Sequence, residues 1–303
     1  MVTKIRKNIL VFCLVLAGYA TEAQQLPQFT QYMFNMISVN PAYAGSRETL
    51  NVTALHRQQW AGINGNPVTS TVSMHLPTKN ERVGLGFSFI TDQLGFEVTN
   101  YVYGDFSYSI PVSYNARLSF GLKGGYTRYS KADADAFDNG EVAVNVWNPN
   151  FGAGAYLSTE KWYVGISSPR ILTTDLNTGE FEALERNAYY GIAGYVFDIS
   201  ADVKFRPTVL AKLTNGAPAS YDLTASFLLY DKFWLGATAR LNDTSNLGAY
   251  MDYQVSNNIR IGYAYDLPTT LISGQTDGTH EVILIYEPRF SKKTKLYKSP
   301  RYF

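Results

Sequence analysis

The chain has 303 residues, of which 15% are aromatic and only 17% charged, including 23 tyrosines, so it is long enough for one large domain or two small ones and is poor in charge for a soluble protein. Its 26 basic and 25 acidic residues fall to 23 and 24 when Lys4, Arg6, Lys7 and Glu22 leave with the leader, and that balance offers no basic footprint for nucleic acid. The one cysteine, Cys13, lies in the same leader, so the mature chain is expected to have no disulfide, no free thiol and no Cys-based metal site.

Residues 1–23 read as a secretory signal: Lys4, Arg6 and Lys7 form the basic end, Ile9 to Ala17 the apolar run, and Thr21-Glu22-Ala23 a small-x-small cleavage site before Gln24. Phe12 before Cys13 argues against lipoprotein cleavage. The apolar run is too short for a stable spanning helix, and no later window supplies about 18 uninterrupted apolar residues.

Residues 24–49 form a segment with no strand period, in which aromatic residues are mixed with amides. Phe29, Met33, Met36 and Ile37 recur at helical spacing and Pro27 suits a first turn, which predicts about two turns of helix ending near Asn40-Pro41. Gln28, Gln31, Asn35 and Asn40 suit a polar enclosure, so the segment is read as a plug; the plain alternative is an arm lying on a surface.

Residues 50–290 form a train of segments with period-two alternation separated by turn residues, the pattern of a transmembrane β-barrel. Phe233 to Asn242 shows it clearly: Phe233, Leu235, Ala237, Ala239 and Leu241 suit lipid, whereas Trp234, Gly236, Thr238, Arg240 and Asn242 suit a polar interior. About fourteen strands are predicted, at 50–59, 67–76, 83–91, 98–110, 115–129, 150–158, 161–168, 187–197, 201–213, 220–229, 233–242, 246–255, 258–267 and 279–287. An even count returns both termini to the periplasm. Connections then alternate between tight turns and the long stretches 130–149, 169–186 and 268–278, predicted to be outer loops. A sandwich would alternate too, but only a closed barrel pairs every backbone group in lipid, and aromatics beside the tight turns (Trp162, Tyr230, Phe233) suit a membrane interface. Residues 291–303 form a basic periplasmic tail, read as solvated or touching a periplasmic partner.

The residues point to no catalytic or metal chemistry. His56, His75 and His280 fall on three different predicted strands without metal-ligand spacing. The acidic stretch from Lys131 to Glu141 departs from a calcium loop, since Phe137 stands at a ligand position and Gly140 comes too late for the turn. No nucleophile elbow occurs, and Gly84-Leu-Gly86 and Gly152-Ala-Gly154 lie within strands. Charges within strands fall mainly on the inward parity: Arg117, Lys123, Lys204, Arg206, Lys212, Arg240 and Arg260, with Asp105, Asp222, Asp252 and Asp266. They are read first as wall-bracing ion pairs and, more sharply, as a surface that holds an inserted plug or peptide.

The blocks Pro27-Gln28-Phe29-Thr-Gln-Tyr32-Met-Phe-Asn35, Val39-Asn40-Pro41-Ala-Tyr43-Ala-Gly45, Arg57-Gln-Gln-Trp60-Ala-Gly62, Gly84 to Asp92 with Gly95, Arg206 to Lys212, Ile261 to Asp266 and Gly278-Thr-His-Glu281 span nearly the whole mature chain. Together they resemble the PorP/SprF proteins of the type IX secretion system. The resemblance implies an all-β outer-membrane barrel of Bacteroidota, without cofactor or enzymatic role. It would engage machine components and an exported protein in secretion, surface attachment or gliding. A passive porin is the competing expectation; it would want an open lumen, whereas the amide-rich segment before the first strand suggests a closed one.

Overall fold

The computed structural model describes residues 27–47, 49–132, 142–175, 184–241 and 246–288. The predicted leader, the acids Asp133, Asp135, Asp138 and Glu141, and the basic tail lie outside them. Fourteen antiparallel strands close into a barrel. They are β1 (Asn51–Gln58), β2 (Val68–Pro77), β3 (Val83–Leu94), β4 (Glu97–Ser113), β5 (Ala116–Ala132), β6 (Val142–Thr159), β7 (Trp162–Ser168) and β8 (Ala188–Tyr195), which resumes as Phe197–Asp198. Then follow β9 (Val203–Thr214), β10 (Ser220–Leu229), β11 (Phe233–Leu241), β12 (Asn246–Gln254), β13 (Ile259–Pro268) and β14 (Thr279–Tyr286). Each strand pairs with its neighbours in sequence, and β1 closes on β14 in a register that sets Arg57 opposite Glu281. No helix of the described residues is long and apolar enough to cross a membrane.

The side-chain distribution inverts that of a soluble barrel. On β11, Leu235, Ala237 and Leu241 are exposed, whereas Trp234 and Arg240 are buried. On β12 and β13, Leu247, Met251, Ile259, Ile261 and Tyr263 are exposed, whereas Tyr250, Asp252, Ala264 and Asp266 are buried. An apolar outer belt around a polar interior is what lipid outside and closure inside require.

The structure corrects two boundaries. The stretch 130–149 is not mainly loop: β5 runs to Ala132 and β6 starts at Val142, so strands of 17 and 18 residues exceed the roughly 9–11 needed to cross a bilayer. Val144 and Val146 keep the period of two in the ladder past the membrane, and Asn145 between them disguises it. The stretch 169–186 likewise contains a short pairing of Thr174–Asp175 with Leu184–Glu185. The start of β1 at Asn51, the end of β14 at Tyr286 and the turns 78–82, 114–115, 160–161, 199–202, 230–232 and 255–258 share one end of the barrel; the connections 59–67, 169–187 and 269–278, with the tight turn at Gly95–Phe96, share the other.

The predicted two-turn helix is instead three 3-10 turns, Tyr32–Phe34, Met36–Ser38 and Pro41–Tyr43. Pro41 has no N–H to offer the Ile37 carbonyl, which accepts from Lys123 Nζ at 3.2 Å instead. The Asn40 side chain caps the last turn by accepting from the Ala42 N–H at 2.9 Å.

Candidate functional site

Residues 27–47 run among the inward faces of the strands, and Phe29, Tyr32, Met33, Phe34, Met36 and Ile37 are buried there with Trp234, Tyr250, Tyr156, Tyr163 and Ile283. Phe34 meets Trp234 and Tyr250 edge-on at 6.1 and 6.0 Å, and the Arg206 guanidinium covers both Phe34 and Trp234 at 5.0 and 4.0 Å. Tyr43 packs edge-on against His75 and Tyr156. Two wall glycines make this approach possible, because a Cβ on Gly84 would lie 2.1 Å from the Ala44 carbonyl oxygen and one on Gly121 2.1 Å from the Ala42 nitrogen.

The segment is fastened at its start by charge. Arg57 Nη1 lies 3.1 Å from Glu281 Oε2, 3.2 Å from Asp266 Oδ2 and 2.8 Å from Thr30 Oγ1. The Thr30 and Gln31 N–H groups donate to the two Glu281 oxygens at 2.9 and 2.8 Å, and the Thr30 hydroxyl donates to Asp266. With its amide turned to satisfy both neighbours, Gln31 donates to Asp252 Oδ1 and accepts from the Ala264 N–H, each at 3.2 Å. Arg57, Asp266 and Glu281 are each 2% exposed or less, so their charges are stabilised by one another and by the segment rather than by water.

Further along, wall side chains meet the backbone and amides of the segment. The Tyr32 hydroxyl lies 3.1 Å from Thr208 Oγ1, Ser73 donates to Asn35 Oδ1 at 2.7 Å, and Asn40 Nδ2 donates to the Ala155 carbonyl at 3.0 Å. Ser167 and Ser107 donate to the Val39 and Ala44 carbonyls, and the Gly45 N–H donates to His75 Nδ1 at 3.2 Å. Where the segment leaves the barrel, Arg47 pairs with Glu287 at 3.5 Å and Asn51 donates to the same carboxylate at 2.7 Å. Burial would raise the Glu287 carboxyl, but Arg47, Arg260 and Asn51 outweigh it and hold it below its usual range.

Of the residues singled out in the sequence, Phe29, Tyr32, Asn35, Asn40, Pro41, Tyr43 and Gly45 are buried in this arrangement, with Gln28 half-buried at its start. Trp60 and Gly62 stand apart in the connection after β1, where Ala61 exchanges backbone hydrogen bonds with Gly278 and Asp277. Asp105–Lys123 at 2.9 Å and Asp222–Arg240 at 2.6 Å are cross-strand pairs that brace the wall, and Lys123 also reaches the segment. Arg206, Lys212 and Asp252 are buried facing inward, and Arg260 is half-buried beside Phe34 and donates to Gln254. Arg117 and Lys204 sit at the turn rim instead, against the Glu81 carbonyl and Asp231. The three histidines have separate partners: Ser70 for His56, the Gly45 N–H for His75, Tyr263 for His280. No group of three or more potential ligand side chains among the described residues could hold a metal ion.

Arg57, Glu281 and Thr30 were not foreseen as site residues. The signal was available, since the period of β1 and β14 places Arg57 and Glu281 on inward parity, but only strand pairing sets them opposite each other. Residues 21–286 match the model of the family described as type IX secretion system membrane protein PorP/SprF. The chain belongs to this family. No curated protein sequence matches it. Solved structures similar to this PorP/SprF protein include the CymD monoaromatic hydrocarbon channel, with 13% identity, a TM-score of 0.52, and coverage of 91% of this chain and 97% of that one. The Ralstonia pickettii toluene transporter TbuX has 9% identity, a TM-score of 0.52 and coverage of 84% and 93%. The Acinetobacter baumannii outer membrane protein Omp33 has 10% identity, a TM-score of 0.49 and coverage of 80% and 100%. At these identities the likeness is one of fold; the membrane-protein family and the closed barrel place this PorP/SprF protein in the outer membrane.

Proposed function

We propose that this PorP/SprF barrel is a closed, non-enzymatic component of the type IX machine that binds an exported surface protein and helps to export or anchor it. The observation that carries this reading is the fastening of residues 27–47 to the interior along their length, from the Arg57, Asp266 and Glu281 cluster to the Arg47–Glu287 pair. An interior whose inward hydroxyls, carboxylates and aromatic rings are used to hold the chain's own segment is poorly suited to passing solutes. The segment is therefore read as a plug, and recognition is assigned to the outer loops, which a rigid barrel presents together. A diffusion channel, the alternative that the hydrocarbon channel and toluene transporter of similar fold bring to mind, needs an open path instead.

Two measurements separate the readings. Planar-bilayer conductance of the intact barrel should be small and should rise on deletion of residues 28–45. Loss of the gene should remove one or a few proteins from the cell surface and leave uptake of small solutes little changed. Large conductance that the deletion leaves unchanged, or normal display of every exported protein with lost permeability, would favour the channel.

A further inference from the structure

At the end of the barrel that carries the connections 59–67 and 269–278, β3 to β6 continue as a panel that outruns its neighbour. β6 pairs with β5 from Val144 to Thr159, but β7 covers β6 only from Ala153 to Ser158. The Ile171 N–H adds one bond to the Phe151 carbonyl and the Asn150 side chain closes the corner with Ile171 and Leu172. Beyond that corner, no described residue pairs with the outer edge of β6 from Asn145 to Pro149. At about 3.3 Å per residue, this edge rises roughly 20 Å past Phe151.

The ladder fixes which groups it presents. Phe151 turns its carbonyl toward β7, and the register with β5 is unbroken from Val144 to Phe151, so Asn145, Trp147 and Pro149 turn their backbone groups away from β5. Pro149, which has no N–H, fits that side without loss to the β5 ladder. The edge therefore offers the N–H and C=O of Asn145 and Trp147 and the C=O of Pro149. Proteins ordinarily blunt such an edge with charge, yet residues 142–149 (Val-Ala-Val-Asn-Val-Trp-Asn-Pro) carry none. Arg128 braces the side chains beside it, donating to Asn145 Oδ1 at 2.9 Å and lying 5.7 Å from the Trp147 ring centre, while Trp147 and Phe151 stay 57% and 59% exposed.

We infer that the β6 edge at Asn145–Pro149 is a strand-addition site that receives an extended, uncharged segment of the exported partner as an extra antiparallel strand. Alternating donors and acceptors select an extended backbone, and exposed Trp147 selects an apolar or aromatic residue opposite it. A second copy in the same membrane has the same orientation, so its β6 would meet this edge in parallel, the less stable pairing. A segment arriving from outside has no such constraint. This inference rests on the partner-binding reading above, and the test separates the two.

The probes are the surface proteins whose display is lost when the gene is deleted, measured by surface labelling beside the amount of heat-modifiable, folded barrel. Asn145→Pro and Trp147→Pro remove outward N–H donors and leave the β5 ladder intact, whereas Val146→Pro breaks that ladder and gauges damage to folding. Trp147→Lys keeps every backbone group and charges the edge, so it tests the site even where a proline variant fails to fold. Both the proline variants that fold and Trp147→Lys should lower display at least tenfold at wild-type barrel levels. Near-normal display in folded edge variants, with display still lost on gene deletion, overturns the strand-addition site alone. Unchanged display on gene deletion overturns the partner-binding reading itself, and the inference with it. A photo-crosslink from a benzophenone-maleimide attached to the thiol of Trp147→Cys should reach the displayed protein, and one that joins two barrels would overturn the choice of partner.

Discussion

Replacing Arg57 by methionine tests whether charge holds the N-terminal segment. The change keeps much of the side-chain length and removes the one cation that touches Asp266, Glu281 and Thr30 together, at 3.2, 3.1 and 2.8 Å. All three charged side chains are at most 2% exposed, so water cannot replace the lost partner. Removing one member of a buried pair costs about 3–5 kcal/mol, because the other charge is left uncompensated. At about 1.4 kcal/mol per tenfold, that is roughly two to three and a half powers of ten in the equilibrium between docked and released segment. The barrel should survive, since the backbone of Arg57 keeps its ladders to β2 and β14. The expected result is a barrel that still shifts on heating in a gel, but with raised bilayer conductance and protease cleavage within residues 27–47. Adding Asp266→Asn and Glu281→Gln to Arg57→Met should restore much of the closure by removing the stranded charges. Wild-type conductance and protease resistance in Arg57→Met alone would refute the charge argument.

Wall parity predicts that Ala237→Arg, on the exposed outer face, costs about 2–4 kcal/mol at mid-membrane and lowers the yield of assembled barrel, while Thr238→Arg one residue away is tolerated far better. Equal yields, measured by heat-modifiability, would reject that face assignment. The depressed Glu287 carboxyl contributes stability that is complete above its ordinary value of 4.5 and is lost as pH falls through its lower folded value. Glu287→Gln should therefore be less resistant to thermal unfolding than wild type between about pH 6 and 8, with the gap closing as pH falls below about 4.5; a gap independent of pH would exclude titration of this group as the cause.

Much of the wall was legible in the sequence. Period-two alternation along Phe233–Leu241, Asn246–Gln254 and Ile259–Pro268 fixes which side chains face lipid, since a one-residue slip would carry Trp234, Asp252 and Asp266 outward. Even β6 betrays itself through Val144 and Val146 once Asn145 is allowed on the other parity. The motif blocks Arg57–Gly62, Ile261–Asp266 and Gly278–Glu281 were legible as family signatures, but not as one site.

Tertiary structure decided the rest, because it concerns meetings between residues 63 to 251 positions apart. Thr30 and Glu281 are separated by 251 residues, and only closure of β1 on β14 brings Arg57 between them. Helical periodicity in residues 29–37 recorded which side chains would be buried, but not the backbone path. That path breaks into 3-10 turns because wall groups such as Lys123, Ser167 and Ser107 satisfy carbonyls that a helix would have kept for itself. Local sequence sets period and parity; a closed barrel sets who faces whom across its interior, and the buried charges are stable only where that closure pairs them.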